Sequence, residues 1–170
     1  MVYALLIAAL GVSAPASALD VDRSREGEAV VVTALLSHPL ESVRALLSND
    51  ETTMRLGKDI RDVKVTPMSN GCVQLEVANV GLGKDLRYVS ERCETKDGWH
   101  SKMVSSEDFL DHDIRWSMQS ENDSTRVSIR VVVQLKSIVP RWLVDRFVGR
   151  ALEQTLIKMD GMLADGRLAD

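Results

Sequence analysis

The chain has 170 residues, of which 45% are hydrophobic and 27% charged, with a formal net charge of −4 at pH 7. That length suits one domain with a sizeable core, and the composition is that of an ordinary folded protein rather than a disordered or low-complexity chain. A net negative chain with dispersed Lys and Arg offers no footing for nucleic acid, and Gly81 and Gly83 lack the further residues of a phosphate-binding loop.

Val2 to Val12 is an apolar run of signal-peptide length, and Ala16-Ser17-Ala18 after it has the A-x-A form of a cleavage site. Residues 1–18 therefore read as a signal peptide, and the mature chain as exported, to the periplasm of a bacterial envelope or beyond it. The run is too short to cross a hydrocarbon core of ~30 Å as a helix. Residues 19–26 read as a polar lead-in and residues 27–165 as the folded domain.

Glu28 to Leu36 is rich in β-branched residues and predicts a first strand. His38 to Leu47 follows, with Pro39 at its start and Leu40, Val43 and Leu47 on one face, which predicts a short helix. A second short helix is expected from Asn49 and Asp50 to Leu56, ended by Gly57. From Ile60 the pattern changes to alternation. Val63 and Val65 mark one strand, and Val73, Leu75 and Val77 mark the next. A turn near Gly81 to Lys84 leads into a third, and pairing across that turn sets Val73, Leu75 and Val77 opposite Arg92, Ser90 and Tyr88. The same register puts Cys72 opposite Cys93, which predicts a disulfide and agrees with an oxidising compartment.

Gly98 to Ser105 places Trp99, Ser101 and Met103 on one side. The clearest hairpin runs through Ile114, Trp116 and Met118, a turn at Glu121 to Ser124, and then Val127, Ile129, Val131, Val133 and Leu135. Its register pairs Met118 with Val127, Trp116 with Ile129 and Ile114 with Val131, while Arg126, Ser128, Arg130, Gln134 and Lys136 take the other face. Such alternation marks an antiparallel sheet wet on one side and covered on the other. Pro140 to Ala164 then reads as one amphipathic helix with Phe147, Ala151, Thr155 and Met159 on its apolar face. At about 25 residues it would be ~37 Å long, a length that a curved sheet can cover. The expected fold is α+β and of the helix-grip kind: a curved antiparallel sheet of about seven strands wrapped around a long C-terminal helix, with two short helices after the first strand.

In this order of elements the chain resembles the START-like (SRPBCC) superfamily, which takes in polyketide cyclases, lipid-transfer proteins and Bet v 1-like proteins. The resemblance is carried by the first strand with His38 to Leu47, by the paired strands from Trp116 to Leu135, and by Ile138 to Val144 entering the last helix. It implies a cavity between sheet and helix for an apolar ligand such as a lipid, sterol, quinone or polyketide. The same fold hosts enzymes and carriers, so the fold leaves the activity open.

The inward faces define the candidate ligand residues: Val73, Leu75, Val77, Tyr88, Ser90, Trp99, Met103, Trp116, Met118, Ile129 and Val131 on the sheet, with Phe147, Ala151, Thr155 and Met159 on the helix. Two readings compete, a packed core and a cavity. Inward polar groups at Tyr88, Ser90, Ser101 and Arg92 favour the cavity, because a solid core leaves them hard to satisfy. No catalytic set stands out. His38 precedes a proline, His100 faces away from Trp99, and Asp108, Asp111, His112 and Asp113 match no closed zinc or EF-hand spacing and read as a polar loop between strands. No metal and no cofactor is expected. Trp142, beside Pro140 and Arg141, suits either a membrane contact or a cap on the core. The function expected is an exported, monomeric carrier or sensor of a hydrophobic small molecule or lipid, with transient membrane contact. The alternatives are a cyclase- or dehydratase-type enzyme using Tyr88 or an inward serine, and an interaction module with a filled core.

Overall fold

The computed structural model describes residues 19–49, 53, 56, 57, 59–81 and 83–166. The expected signal peptide and most of the second short helix lie outside the described residues. Eight strands form one antiparallel sheet: β1 (Val21–Glu26), β2 (Ala29–Leu36), β3 (Ile60–Pro67), β4 (Val73–Gly81), β5 (Lys84–Thr95), β6 (Gly98–Ser106), β7 (Phe109–Glu121) and β8 (Ser124–Leu135). Their order across the sheet is β1-β2-β8-β7-β6-β5-β4-β3. After β2 the chain passes through helix α1 (Leu40–Ser48) to the far edge, then returns by successive hairpins until β8 pairs with β2. Helix α2 (Arg141–Ala164) follows, with Pro140 as its N-cap and Gly166 in the left-handed region just past its end.

The predicted registers hold. Val73, Leu75 and Val77 face Arg92, Ser90 and Tyr88 across β4 and β5, and Ile114, Trp116 and Met118 face Val131, Ile129 and Val127 across β7 and β8. Cys72 and Cys93 form a disulfide, with Cα atoms 4.4 Å apart.

The sheet has one strand more than the sequence suggested. Val21–Glu26, within the stretch read as a polar lead-in, is β1, paired with β2 from Val21 opposite Ala34 to Glu26 opposite Ala29. As an edge strand it is exposed from Asp22 to Glu26, so it carries no run of apolar residues to announce it. Arg23 crosses the buried Gly149 of α2 to reach Glu153 at 3.5 Å, and Arg25 reaches Asp145 at 3.4 Å.

The solid core sits on one side of the sheet's inner face. Val30, Val32, Ala34 and Leu36 of β2, Val127 and Ile129 of β8 and Met118 of β7 pack with Val43, Leu46 and Leu47 of α1 and with Leu156, Met159 and Leu163 of α2. The close contacts of α2 are accordingly with β2, β8, β1 and α1.

The polar loop expected at Asp108 to Asp113 is a correction. Only Asp108 lies in a bend, where its carboxylate accepts the Arg87 N–H at 3.0 Å and the Lys84 ammonium at 3.0 Å. These bonds hold its carboxyl below the usual range, the Arg87 amide first. From Phe109 onward the chain is strand, with a register shift between Phe109 and Asp111, and alternation sends Asp113 outward and His112 inward. The Asp113 carboxylate meets His100 Nε2 at 2.7 Å on the outer face, so His100 is paired rather than simply exposed. His112 is buried against Tyr88 and Phe109. Burial pushes its imidazole down to about 4, against a weaker opposite pull from the Asp113 carboxylate.

Two outcomes follow for stability. Replacing Cys72 and Cys93 with Ser should lower the unfolding free energy by roughly 3 kcal/mol in denaturant titrations, since the bond closes a loop of 21 residues. For His112 the folded value lies below the unfolded one, so the unfolded chain takes up the proton first as pH falls. Stability should therefore drop by roughly 3 kcal/mol between about pH 6.5 and pH 4, and His112→Phe should remove that component of the acid limb.

Candidate ligand chamber

The half of the sheet away from β2 is not filled. Between it and α2 lie two adjoining lobes that share Leu56, Gly57, Ile60, Tyr88, Ile114, Leu152 and Thr155 as walls. The first, about 210 Å³, is closed by Leu47, Val63, Leu75, Val77, Ser90, Arg92, Trp99, Ser101 and Trp116. The second, about 270 Å³, runs under α2 between Val144, Phe147, Val148 and Ala151 on the helix and Asn79, Leu86, Phe109, His112, Val131, Val133 and Leu135 on the sheet. Exposed Gln154 and Lys158 also line it, so it meets solvent between α2 and the connection before β3.

Small side chains stand in its walls: Ser90, Ser101, Ala151 and Thr155 are at positions where larger residues would take up the space. Gly81 at the end of β4 works differently, because a Cβ there would come within 2.7 Å of Leu86 Cδ1 and 3.7 Å of Phe147 Cε1. Its missing side chain lets those two residues form the wall.

The polar groups in the walls differ between the lobes. In the first, the buried Ser101 hydroxyl donates to the Ser90 hydroxyl at 3.1 Å, and Arg92 also stands in the wall. In the second, Tyr88 packs edge-on to Phe109 with ring centroids 5.5 Å apart and against His112 at 4.4 Å. Burial raises the Tyr88 phenol above its ordinary value. His112 Nδ1 and Asn79 Oδ1 are buried with no hydrogen-bond partner among the described residues.

Leu75, Val77, Ser90, Trp99 and Trp116 line the first lobe, Val131, Phe147 and Ala151 the second, and Tyr88 and Thr155 both. Five other predicted residues stand elsewhere. Met118, Ile129 and Met159 lie in the solid core, where the C-terminal half of α2 packs on β2 and the first half of β8. Val73, at the start of β4, is half-buried and lines neither lobe. Met103 lines a shallow outer groove with Glu91, Cys93, His100, Lys102 and Val104, next to the register shift that skips Val104 between β5 and β6. Sequence reasoning missed Asn79, Phe109 and His112, and also Ile60 and Val63 on β3. The apolar alternation of β3 was visible, but its place at the chamber depends on the long crossing from β2.

On the outside, Trp142 is 65% exposed and caps no core. It lines a groove with Arg23, Arg25, Asp145, Arg146 and Arg150, and Ile138 beyond Pro140 is fully exposed.

No protein-family model and no curated protein sequence matches the chain. Solved structures do. A START superfamily protein from Mycobacterium smegmatis aligns with a TM-score of 0.71 at 18% identity, over 82% of this chain and 99% of its own. The Zhui aromatase/cyclase from Streptomyces sp. R1128 gives 0.70 at 12% identity, over 83% and 95%. A STAR-related lipid transfer protein from Xanthomonas axonopodis gives 0.66 at 14% identity, over 89% and 97%. At such identities the likeness speaks for the fold, and with an open curved sheet gripping a C-terminal helix, this chain has the START-like, SRPBCC-type α+β fold.

Proposed function

We propose that the chain binds a hydrophobic small molecule or lipid in the two-lobed chamber and acts as a carrier or sensor without transforming it. The observation that carries this reading is the chamber itself: adjoining spaces of about 210 and 270 Å³ with mainly apolar walls, in a domain whose other half is packed solid. Burial of apolar ligand surface, worth about 25 cal/mol per Å² before ordering costs, is the driving force. Among the solved structures of this fold, one is a STAR-related lipid transfer protein and another an aromatase/cyclase, so both activities have precedent on the scaffold.

The enzyme reading is weaker on chemical grounds. General acid–base work needs a group whose pKa lies near the working pH. Burial moves the buried Tyr88 and His112 away from neutrality in opposite directions, which favours the uncharged form of both. The filled-core module sits poorly with the unfilled half of the sheet.

Export is part of the same proposal. The apolar run with Ala16-Ser17-Ala18 and the disulfide of Cys72 and Cys93 both suit an oxidising compartment. The monomeric state belongs to the proposal as well. For loading, the groove holding Trp142, Arg146 and Arg150 suits the surface of an anionic membrane, with an aromatic at headgroup depth beside guanidinium groups.

Filling the chamber should weaken binding. Thr155→Phe, which projects into both lobes, should weaken uptake of an uncharged fluorescent hydrophobe such as N-phenyl-1-naphthylamine by about tenfold or more, a loss of ~1.4 kcal/mol. Arg130→Ala on the outer face should bind as wild type, and equal binding by both folded variants would refute the chamber. In flotation assays, wild type should associate with vesicles containing phosphatidylglycerol in a salt-sensitive way, and Arg146→Glu with Arg150→Glu should lose that association.

A further inference from the structure

One strand, β5, runs past both lobes. Leu86 lines the second lobe, Tyr88 both, and Ser90 and Arg92 the first. Alternate residues on a strand lie about 7 Å apart, so the row from Leu86 to Arg92 spans about 20 Å. Along it the wall changes from hydrocarbon to phenol, to hydroxyl, to guanidinium. Among the described residues that line the first lobe, Arg92 is the one charged side chain. It stands opposite Val73 on β4 and Ser101 on β6, and one residue further along the disulfide of Cys72 and Cys93 ties β4 to β5. The basic end of the row is thus fixed covalently.

We propose that the chamber takes an apolar molecule with a single carboxylate at one end, which Arg92 holds in the first lobe while the apolar body lies past Tyr88 toward the second. This rests on the chamber being a ligand site and names the ligand class. Arg92 also engages the protein, and the five N–H donors of a guanidinium let it serve a ligand at the same time. Its planar fork matches the two oxygens of a carboxylate. The hydroxyls of Ser90 and Ser101 stand in the same wall and can add a donor. An ammonium head would meet like charge there, with no acidic side chain among the described lining residues to offset it. A hydroxyl head would gain a weaker bond, because hydrogen bonds with one charged partner are about half as strong as those with two. The second lobe has one charge of each sign, Asp59 and Lys158, and so sets no preference of its own. Its walls at Leu86, Phe109, Val131 and Phe147 suit the apolar body.

Three probes with one chain length test the assignment: dodecanoate, dodecanol and dodecyltrimethylammonium, each displacing N-phenyl-1-naphthylamine from the full chain at neutral pH. Dodecanoate should bind about tenfold tighter than dodecanol, and dodecyltrimethylammonium should bind more weakly than either. The preference for dodecanoate should vanish in Arg92→Gln, shrink in Arg92→Lys, which keeps the charge and loses the fork, and persist in Arg130→Ala on the outer face. In wild type, the Arg92 Nε–H resonance should move further on adding dodecanoate than on adding dodecanol. Equal affinities for dodecanoate and dodecanol, or an Arg92 resonance that responds to both alike, would overturn the carboxylate end and leave the chamber reading intact. A preference that survives Arg92→Gln and is lost in Lys158→Gln would overturn it too, by placing the carboxylate in the second lobe. No uptake of the dye or of dodecanol by wild type would overturn both readings.

Discussion

The seating of α2 on one half of the sheet governs the rest of the structure. β2 and β8, far apart in sequence, pair along their length and present Val30, Val32, Ala34, Val127 and Ile129 as a continuous apolar strip. Leu156, Met159 and Leu163 of α2 bury against that strip and against α1, while Arg23 and Arg25 of β1 clamp the helix from the edge. The earlier turns of α2, from Val144 to Ala151, stand across a space from β4, β5, β7 and β8. That space is a consequence of where the helix is anchored, and small residues such as Ser90, Ser101, Ala151 and Thr155 stand in its walls. The anchoring core and the chamber are thus two sides of one packing decision, which is why Met159 belongs to one and Thr155, a single turn away, to the other.

The chemistry of the walls follows from burial. Ser90 and Ser101 pair through their hydroxyls, and three rings packed together at Tyr88, Phe109 and His112 set side-chain positions without further bonds. Low dielectric surroundings keep the phenol and the imidazole neutral, which suits the holding of an apolar ligand body better than the movement of protons. Arg92 stands in the wall of the first lobe and Asp59 and Lys158 in that of the second. Other charged groups lie on the outside. They form the Asp113 pair with His100 on the back of the sheet and the arginine-rich groove around Trp142 at the start of α2.

Much of this was legible in the sequence because period-two alternation fixes both strand register and the buried face. The disulfide and the two hairpin registers came from that signal, the long helix from apolar residues recurring at three and four, and the START-like likeness from the order of the elements. β1 was not legible, since an edge strand needs no apolar side chains and Val21–Glu26 has hardly any. His112 was hidden by its neighbours. Asp108, Asp111 and Asp113 gave the stretch the look of a loop, although alternation past the register shift turns only His112 inward. Inward direction could be read for Met118 and Ile129, but the division between solid core and open space could not, because it depends on which strands the helix touches.

The most direct test of this account is native mass spectrometry of the chain purified from an exporting host, followed by solvent extraction of whatever accompanies it. A protein that carries one equivalent of an apolar compound, released on extraction, is the predicted result. A bare mass that stays bare after incubation with mixed membrane lipids would contradict the claim that the unfilled half of this fold exists to hold a ligand.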